Sequence, residues 1–360
     1  MANKLPKVSI VILNYNGWKD TTTCLESVFN IDYTNYHVIV VDNDSSDDSV
    51  TYMKKWALGE LSNGCPFPDH EIFNTFHQIK KPISFSELLH EESIYNSLTE
   101  YNIKKKIFVK NSPSNKYDEK LIIIKNNKNS GYAGGNNVGI RYSIDFLNTD
   151  YIMILNNDTV VAPDIINKLL EVFALDKKMG ICGPLEFSYN KPYSLQSAGG
   201  RFGIYTGMHK ILRKTYDDVK EVDWVCGSCF LMRKELIPTI GYLDERYFLY
   251  VEEIDYAYRT NKSHYRVCVT TGTSIWHKGR TEGGQTSDEL YDFYTIRNRL
   301  LFALKHLKVH QLFVFIPIHV TKWLLIRAIK DFIQGKEIHF SRKIEALKEG
   351  FLAYKAKSIL

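Results

Sequence analysis

Short apolar runs recur along the first half of the chain, and each of them ends abruptly in a polar cluster. The runs are Val8–Leu13, His37–Val41, Leu121–Lys125 and Tyr151–Leu155. Short runs rich in β-branched and aliphatic residues are typical of strands buried on both faces. Segments with helical spacing of apolar residues separate them. This alternation predicts a mostly parallel α/β sheet flanked by helices.

The polar clusters that follow the strands are Asn14–Gly17, Asp42–Asp47, Ser130–Asn137 and Asn156–Asp158. Any one of them could simply close a strand as a turn. Together they indicate a cleft, because the carboxyl ends of parallel strands meet at one edge of the sheet, where ligands bind. A carboxylate at this edge can hold a hard divalent cation, which in turn can hold a diphosphate.

Residues 58–120 interrupt the alternation. Connections in α/β units usually take about 2–6 residues, so this stretch is predicted to be an insertion with structure of its own. The pattern over Ser86–Tyr101 predicts a helix, and Lys104–Lys110 is basic. The insertion could be a lid, an acceptor-side module or a surface embellishment.

The C-terminal region, residues 291–360, is predicted to be helical and basic. From residue 297 onward it has 13 Lys and Arg against 4 Asp and Glu, a charge of +9 within a chain of net charge +5. Leu312–Ile329 is very apolar but contains Lys322 and Arg327. We expect an interfacial helix on a membrane surface. A spanning helix, or a helix packed on the catalytic body, is the alternative.

Composition narrows the class of protein. The 360-residue chain has six cysteines and begins without a basic segment followed by an apolar one, so we expect reduced thiols, no secretory signal and a cytoplasmic location at the inner face of the cell membrane. Cys226 and Cys229 form a single C-x-x-C pair without further ligands, which favours core packing over zinc. Nucleic acid is not an expected partner, since the basic tail lacks a recognition motif.

Five segments in order, VSIVILNYNG, VVDNDSSDDSV, NSGYAGGNNVGI, ILNNDTVVAPD and YVEEIDYAYR, resemble the inverting glycosyltransferases of the GT-A fold, family 2, in their rhamnosyltransferase-like branch. The resemblance implies a Rossmann-like GT-A domain over residues 1–290 and a helical extension after it. It also implies sugar transfer from a nucleotide-diphosphate donor to a saccharide or lipid-linked acceptor in cell-surface polysaccharide assembly. dTDP-rhamnose is the favoured donor; UDP-hexoses and UDP-galactofuranose are the alternatives.

The same resemblance assigns the donor site and the metal site. Asp42 would accept the imide N–H of the base. Asp158, with His277, would bind Mg²⁺ or Mn²⁺, and Asn156 replaces the first acid of the usual Asp-x-Asp motif, which predicts a weaker metal site. The implied donor-binding residues are Asn14, Tyr15, Asn16, Asp42, Asn43, Gly135, Asn136, Asn156, Asn157 and Arg297.

The catalytic base implied by the resemblance is Glu253, in a Glu-Glu pair where the family usually has Glu-Asp. Glu252 points to another helix face, and Asp255 is the second choice. The implied acceptor-binding residues are Trp224, Gly227 and Trp276. Because both acidic motifs depart from the family pattern, a nucleotide-binding or scaffold protein without activity is the alternative from another class.

Overall fold

One mixed sheet organises the chain. The computed structural model describes residues 5–61, 70–90, 120–203, 205, 209–214, 217–279, 287–335 and 339–356. Within these residues the sheet has eleven strands, and a separate two-stranded hairpin lies outside it. The strands are β1 Val8–Asn14, β2 Tyr36–Asp42, β3 Phe85–His90, β4 Leu121–Asn126, β5 Tyr151–Asn156, β6 Thr159–Val161, β7 Met179–Ser188, β8 Leu195–Ser197, β9 Gly200–Phe202, β10 His209–Ile211, β11 Val219–Glu221, β12 Cys229–Arg233 and β13 Arg266–His277.

The strand order is β11-β13-β7-β12-β5-β1-β2-β4-β3, with β6 paired to β13 and β8 to β7. The predicted parallel strands form one half, in which β1 pairs with both β2 and β5. The other half is mixed, because β12 runs antiparallel to β5 and β7. The hairpin of β9 and β10 pairs Gly200 with Ile211 and Phe202 with His209.

Helices cover both faces of the sheet. The helices are α1 Trp18–Val28, α2 Ser49–Leu58, α3 Gly131–Asp145, α4 Ile165–Leu175, α5 Leu236–Ile240, α6 Glu252–Lys262, α7 Asp288–His306, α8 Val309–Thr321, α9 Arg327–Ile333 and α10 Phe340–Lys355. Successive side chains of β1 point to opposite faces of the sheet and so belong to two separate core clusters. Ile10 and Ile12 pack on the side of α1, α2 and α4, and Val11 packs on the side of α3. The doubly covered sheet predicted from the apolar runs is confirmed.

The described part of the insertion extends the sheet. Phe85–His90 forms β3, which pairs in parallel with the open edge of β4. The helix predicted from Ser86 is therefore wrong as far as His90, because the backbone of β3 bonds to that edge instead; the rest of that prediction and Lys104–Lys110 lie outside the described residues. Lys81 ties the segment to the body through Glu26 at 2.8 Å and stacks over Trp56.

The C-terminal helices pack directly on the body. Leu301 and Phe302 of α7 belong to the same core cluster as α3. Helix α10 lies against α7 so closely that a Cβ on Gly350 would meet the Arg297 carbonyl oxygen at 2.8 Å. A π-helical turn, Lys322–Ile326, joins α8 to α9 into one helix. That helix, Val309–Ile333, contains an 18-residue stretch with a mean hydropathy of 1.7 and is long and apolar enough to cross a membrane by length and composition.

Gly139 gives a test of the packing between α3 and the sheet. An added Cβ would lie 2.4 Å from Val11 Cγ1 and 3.3 Å from Val11 Cβ, and Val11 is fully buried. Valine is stiff at χ1, so the clash should outweigh the gain in helix propensity of about 1 kcal/mol. We expect Gly139→Ala to lower the free energy of unfolding in urea by about 1–3 kcal/mol. Gly272→Ala, whose Cβ meets nothing closer than 3.3 Å, is the control and should change stability much less.

Candidate active site

The carboxyl ends of β1, β2 and β5 lie level with one another. The register pairs Asn14 with Asp42 and Leu13 with Asn156. The three polar strand ends therefore meet at one edge, as predicted from the sequence. They border a cleft of about 300 Å³. The cleft is lined by Leu13, Tyr15, Asp20, Asn43, Asn129, Gly131, Tyr132, Asn156, Asn157, Asp158, Phe248, Leu249 and Leu290.

Asp158, His277 and Glu186 form a line of ionisable side chains beside this cleft. His277 Nε2 lies 3.1 Å from Asp158 Oδ1, and its Nδ1 lies 3.0 Å from Glu186 Oε1. The second oxygen of Glu186 accepts a hydrogen bond of 2.7 Å from Ser228. β13 pairs with β6 so that His277 lies opposite Thr159, which explains how a residue late in the chain reaches Asp158.

Burial opposes charge on all three groups, but their mutual contacts outweigh it. The charge and hydrogen bond of His277 hold the pKa of Asp158 below its ordinary value, and do the same for the pKa of Glu186. The two carboxylates raise the pKa of His277 well above its usual range. The two carboxylates are thus held in their anionic form, the form in which a carboxylate binds a cation.

The two asparagines before Asp158 differ in their surroundings. Asn156 Nδ2 lies 3.5 Å from His277 Nε2, so the residue that replaces the usual first acid does adjoin the histidine. Asn157 turns the other way and donates to Thr21 Oγ1 at 3.0 Å. Among the described residues, no three His, Cys, Asp or Glu side chains are grouped to hold a metal ion.

At the ends of β1 and β2 the predicted nucleotide residues bond chiefly to one another. Asp42 is buried, and it accepts from Asn14 Nδ2 at 2.8 Å and from the backbone N–H of Ser45 at 3.2 Å. Asn16 accepts from the backbone N–H of Ser46 at 2.7 Å. Tyr15 projects into the cleft and is 45% exposed. Asp42 thus orders the loop that borders the cleft, and Tyr15 offers the open surface there.

Three other predicted donor residues serve the packing of α3. Asn43 lines the cleft, but its amide is engaged with Asn129, Asn126 and backbone groups of the α3 start. A Cβ on Gly135 would lie 2.3 Å from Leu13 Cδ1, so glycine lets the helix approach β1 without displacing that side chain. Asn136 is fully buried and donates to the Tyr132 carbonyl. Gly135 and Asn136 thus have packing contacts and are not among the residues that line the cleft, and their contact with a donor stays a prediction.

The three acidic candidates at the start of α6 lie in different surroundings. Burial raises the pKa of Glu253 to about 7. Burial and the charge of Glu253 raise the pKa of Glu252 well above its ordinary range, and Glu252 Oε2 is buried without a hydrogen-bond partner. Asp255 is fully buried and paired with Arg259, Lys305 and His306 at 2.7, 2.8 and 2.6 Å. Asp255 is a structural ion-pair centre, so it is not available as the second-choice base.

Tyr132 connects Glu253 to the cleft. Its hydroxyl donates to the Gly227 carbonyl at 2.5 Å, and its backbone N–H donates to the Phe248 carbonyl at 2.5 Å. A Cβ on Gly227 would lie 3.4 Å from that hydroxyl and 3.6 Å from Glu253 Cβ. Burial first, and then the charges of Glu252, Glu253 and Asp158, raise the pKa of Tyr132. Tyr132, a partly buried residue of the cleft lining, is therefore close enough to feel the charges of both Asp158 and Glu253.

The loop before α6 is held in an unusual backbone conformation. Phe248, Tyr250 and Val251 have φ of 60°, 68° and 76°. Left-handed backbone is costly for bulky residues and for β-branched ones above all, and it persists only where the surroundings enforce it. Asn298 does so by donating to the carbonyls of Tyr247, Leu249 and Tyr250 at 2.7, 2.7 and 2.8 Å. The loop is thereby held just ahead of Glu252 and Glu253.

The two tryptophans need correction, and Arg297 has a structural contact. Arg297 Nη1 donates to the Arg246 carbonyl at 2.7 Å, next to the start of the same loop. Trp224 is buried against Gly200, whose Cβ would lie 2.1 Å from the ring. Trp276 is buried beside Phe73, with ring centroids 5.3 Å apart. Neither indole has an open face for a sugar, because both fill core space.

Four residues of the site were not singled out from the sequence. Glu186 interrupts an otherwise apolar strand, and that interruption was the available signal. Asp20 lines the cleft and pairs with Lys278 at 2.5 Å. Nothing in the sequence marks either residue, because a charged residue in a helix or after a strand is usually on the surface. Tyr132 lies within the glycine-rich motif, in which only Gly135 and Asn136 were assigned a role.

Two family models and two relatives of known name match this chain. The family described as "Glycosyl transferase family 2" matches residues 9–65, and "Glycosyltransferase like family 2" matches residues 114–292. A low-salt glycan biosynthesis hexosyltransferase from Haloferax volcanii is 26% identical over 231 residues, which covers 60% of this chain and 69% of that protein. An N-acetylglucosaminyl-diphospho-decaprenol L-rhamnosyltransferase from Mycobacterium tuberculosis is 26% identical over 157 residues. That alignment covers 39% of this chain and 51% of the mycobacterial protein, about half its length.

Solved structures show the same architecture. A mannosyltransferase from Pyrobaculum calidifontis, solved with GDP-Man and Mn²⁺, superposes with a TM-score of 0.51 at 12% identity. The superposition covers 98% of this chain and 74% of that chain. The fold, a mostly parallel sheet with a cleft at its carboxyl edge and helices after it, is therefore that of the GT-A glycosyltransferases. The chain belongs to glycosyltransferase family 2.

Asn298→Ala tests the support of the strained loop. The change removes the buried amide whose two N–H groups are shared among three carbonyls and leaves those carbonyls without their donor, so the free energy of unfolding should fall by about 2–4 kcal/mol. Thermal and urea unfolding measure this. Asn261→Ala is the control, since that exposed side chain makes one bond to the Asp223 carbonyl. Equal effects of the two substitutions would contradict the role given to Asn298.

Proposed function

We propose that this glycosyltransferase moves a sugar from a nucleotide-diphosphate donor to a saccharide or lipid-linked acceptor with inversion at the anomeric carbon. The observation that carries the proposal is that Asp158, paired with His277, lines the same cleft as Tyr132, and that Glu253 lies next to Gly227, to which Tyr132 bonds. One carboxylate is held ionised and the other has its pKa near 7, which suits a cation ligand and a general base.

The residues at the end of β5 fit a divalent cation. Asp158 Oδ1 and His277 Nε2 are 3.1 Å apart, as two ligands of one metal ion can be, and both side chains are partly exposed. The cation would take the place of the proton on His277 Nε2, since only the neutral imidazole binds a metal. A carboxylate oxygen together with an imidazole suits Mn²⁺ better than Mg²⁺. When bound, the cation would neutralise charge on the leaving diphosphate. Two protein ligands leave the coordination of the cation incomplete, so the donor phosphates would supply the further ligands.

Glu253 would take the proton from the acceptor hydroxyl as its oxygen bonds to the anomeric carbon. The bond from that carbon to the diphosphate oxygen breaks at the same time, and the electron pair leaves with the nucleoside diphosphate. One base on one face is sufficient for inversion. The buried Glu252 would remain neutral and keep its place in the interior.

The donor we favour is dTDP-rhamnose. Support comes from the resemblance of the motifs and from the mycobacterial relative, which is named a rhamnosyltransferase. The relative from Haloferax volcanii is named a hexosyltransferase, which supports a UDP-hexose as the alternative. Donor hydrolysis and transfer measured with dTDP-, UDP- and GDP-sugars separate these donors. A protein that binds nucleotides but turns over none of them would be the inactive scaffold instead.

Glu253→Gln tests the base. Loss of the proton acceptor should lower kcat by about 100- to 10,000-fold while donor binding is kept. In the parent enzyme kcat/KM should rise with pH and reach half its maximum near pH 7, because below that pH Glu253 is protonated and cannot accept a proton. The variant should lack this rise. Glu235→Gln, an exposed carboxylate at the start of α5, is the matched control and should behave like the parent.

Glu186→Gln tests the support of the metal site. The amide keeps the shape of the side chain but loses the charge that orients His277 through Nδ1. Second-sphere partners of this kind are worth about 10- to 100-fold in metal affinity. Mn²⁺ binding, followed by electron paramagnetic resonance with the nucleoside diphosphate present, should weaken by this factor. Glu171→Gln, which removes only an exposed pair with Lys168, should leave Mn²⁺ affinity unchanged.

A further inference from the structure

The helix Val309–Ile333 leaves an apolar face uncovered on the body. Phe313, Phe332 and Ile333 are 77%, 75% and 77% exposed. Side chains of this kind are usually buried, and a continuous exposed face of them marks an interaction surface. The other exposed apolar side chains of this face are Val309, Val314, Ile318, Leu325, Ile326 and Ile329.

The opposite face of the same helix is firmly attached, by the buried side chains of Phe315 and Trp323 and by polar contacts. His319 Nε2 donates to the Ile296 carbonyl at 3.0 Å, and Arg327 pairs with Asp292 at 3.1 Å. Asp331 pairs with Lys343 of α10 at 2.8 Å. All these partners lie on α7 or α10, so the helix is bound along its length to the helices that support the active-site loop.

The π-helical turn keeps the two faces apart. His319, Trp323, Arg327 and Asp331 follow one another at four-residue steps. In a regular helix of 3.6 residues per turn such a row winds gradually around the axis. The wider turn at Lys322–Ile326 compensates for this drift. The attached side therefore faces the body from end to end, and the exposed apolar side faces outward from end to end.

Charge distinguishes among the possible occupants of the apolar face. Asp331 is the only acid in the helix, and it is buried. Lys308, just before the helix, and Lys330, within it, are exposed. A two-fold contact with a second copy would set these like charges against their own equivalents. A spanning arrangement would have to break the ion pairs of Arg327 and Asp331. An anionic bilayer surface instead matches both the apolar face and its basic surroundings.

We propose that Val309–Ile333 lies flat on an anionic membrane surface, with Phe313 and Phe332 inserted among the acyl chains and the catalytic body held above it by the opposite, attached face. This inference is independent of the proposed donor and reaction, since it uses only the C-terminal helices. It predicts reversible binding that depends on both apolar contact and lipid charge.

Sedimentation with vesicles tests it on the full chain. Vesicles of two parts phosphatidylcholine to one part phosphatidylglycerol should bind the protein, and vesicles of phosphatidylcholine alone should bind it at least about tenfold more weakly. The double variant Phe313→Ser, Phe332→Ser should bind the anionic vesicles at least about tenfold more weakly than the parent. The matched control is Leu175→Ser, Tyr193→Ser, which removes two exposed apolar side chains elsewhere. It should bind like the parent.

Circular dichroism and urea unfolding should show that both double variants keep the fold, since all four side chains are exposed. Unchanged vesicle binding by the Phe313, Phe332 variant would overturn the proposal, and so would equal binding to neutral vesicles. Resistance of the bound protein to alkaline carbonate would show a spanning helix instead. Dimers that the same variant dissociates, without vesicle binding by the parent, would show a second copy as the occupant.

Discussion

The site depends on the register of three parallel strands. Because β1 pairs with β2 and β5 so that Asn14, Asp42 and Asn156 end level, the polar residues after each strand open onto one cleft. A shift of one residue would turn every side chain of a strand to the other face. The buried faces of β1, which pack against both helix layers, prevent such a shift. The core of the sheet and the position of Asp158 therefore have the same physical origin.

The strained loop before α6 is a second constraint on the site. The left-handed residues before α6 are unfavourable by themselves, and the side chain of Asn298 holds them by three carbonyls. Asn298 lies on α7, which in turn packs against α10 and the helix Val309–Ile333. The C-terminal helices are thus part of the active-site framework. Any surface on which they rest would orient the whole cleft.

Ionisable side chains have different roles around the cleft and around the C-terminal helices. Around the cleft, burial and pairing separate the ionisation of Asp158 from that of Glu253, so that two similar side chains acquire different properties. Around the C-terminal helices, buried pairs such as Asp331 with Lys343 attach one face and leave Lys330 exposed. Because exposed pairs are worth little, it is the buried ones that set both arrangements.

The sequence by itself determined the parallel half of the sheet, the family and the location of the cleft, since apolar runs of β-branched residues and polar strand ends are local signals. It also pointed to Asp158, His277 and Glu253 through the resemblance. Only the tertiary structure placed Glu186 behind His277, turned Trp224, Trp276 and Asp255 into core residues, and made a strand of Phe85–His90. These outcomes depend on which atoms lie across a space filled from distant parts of the chain, and local pattern does not contain that information.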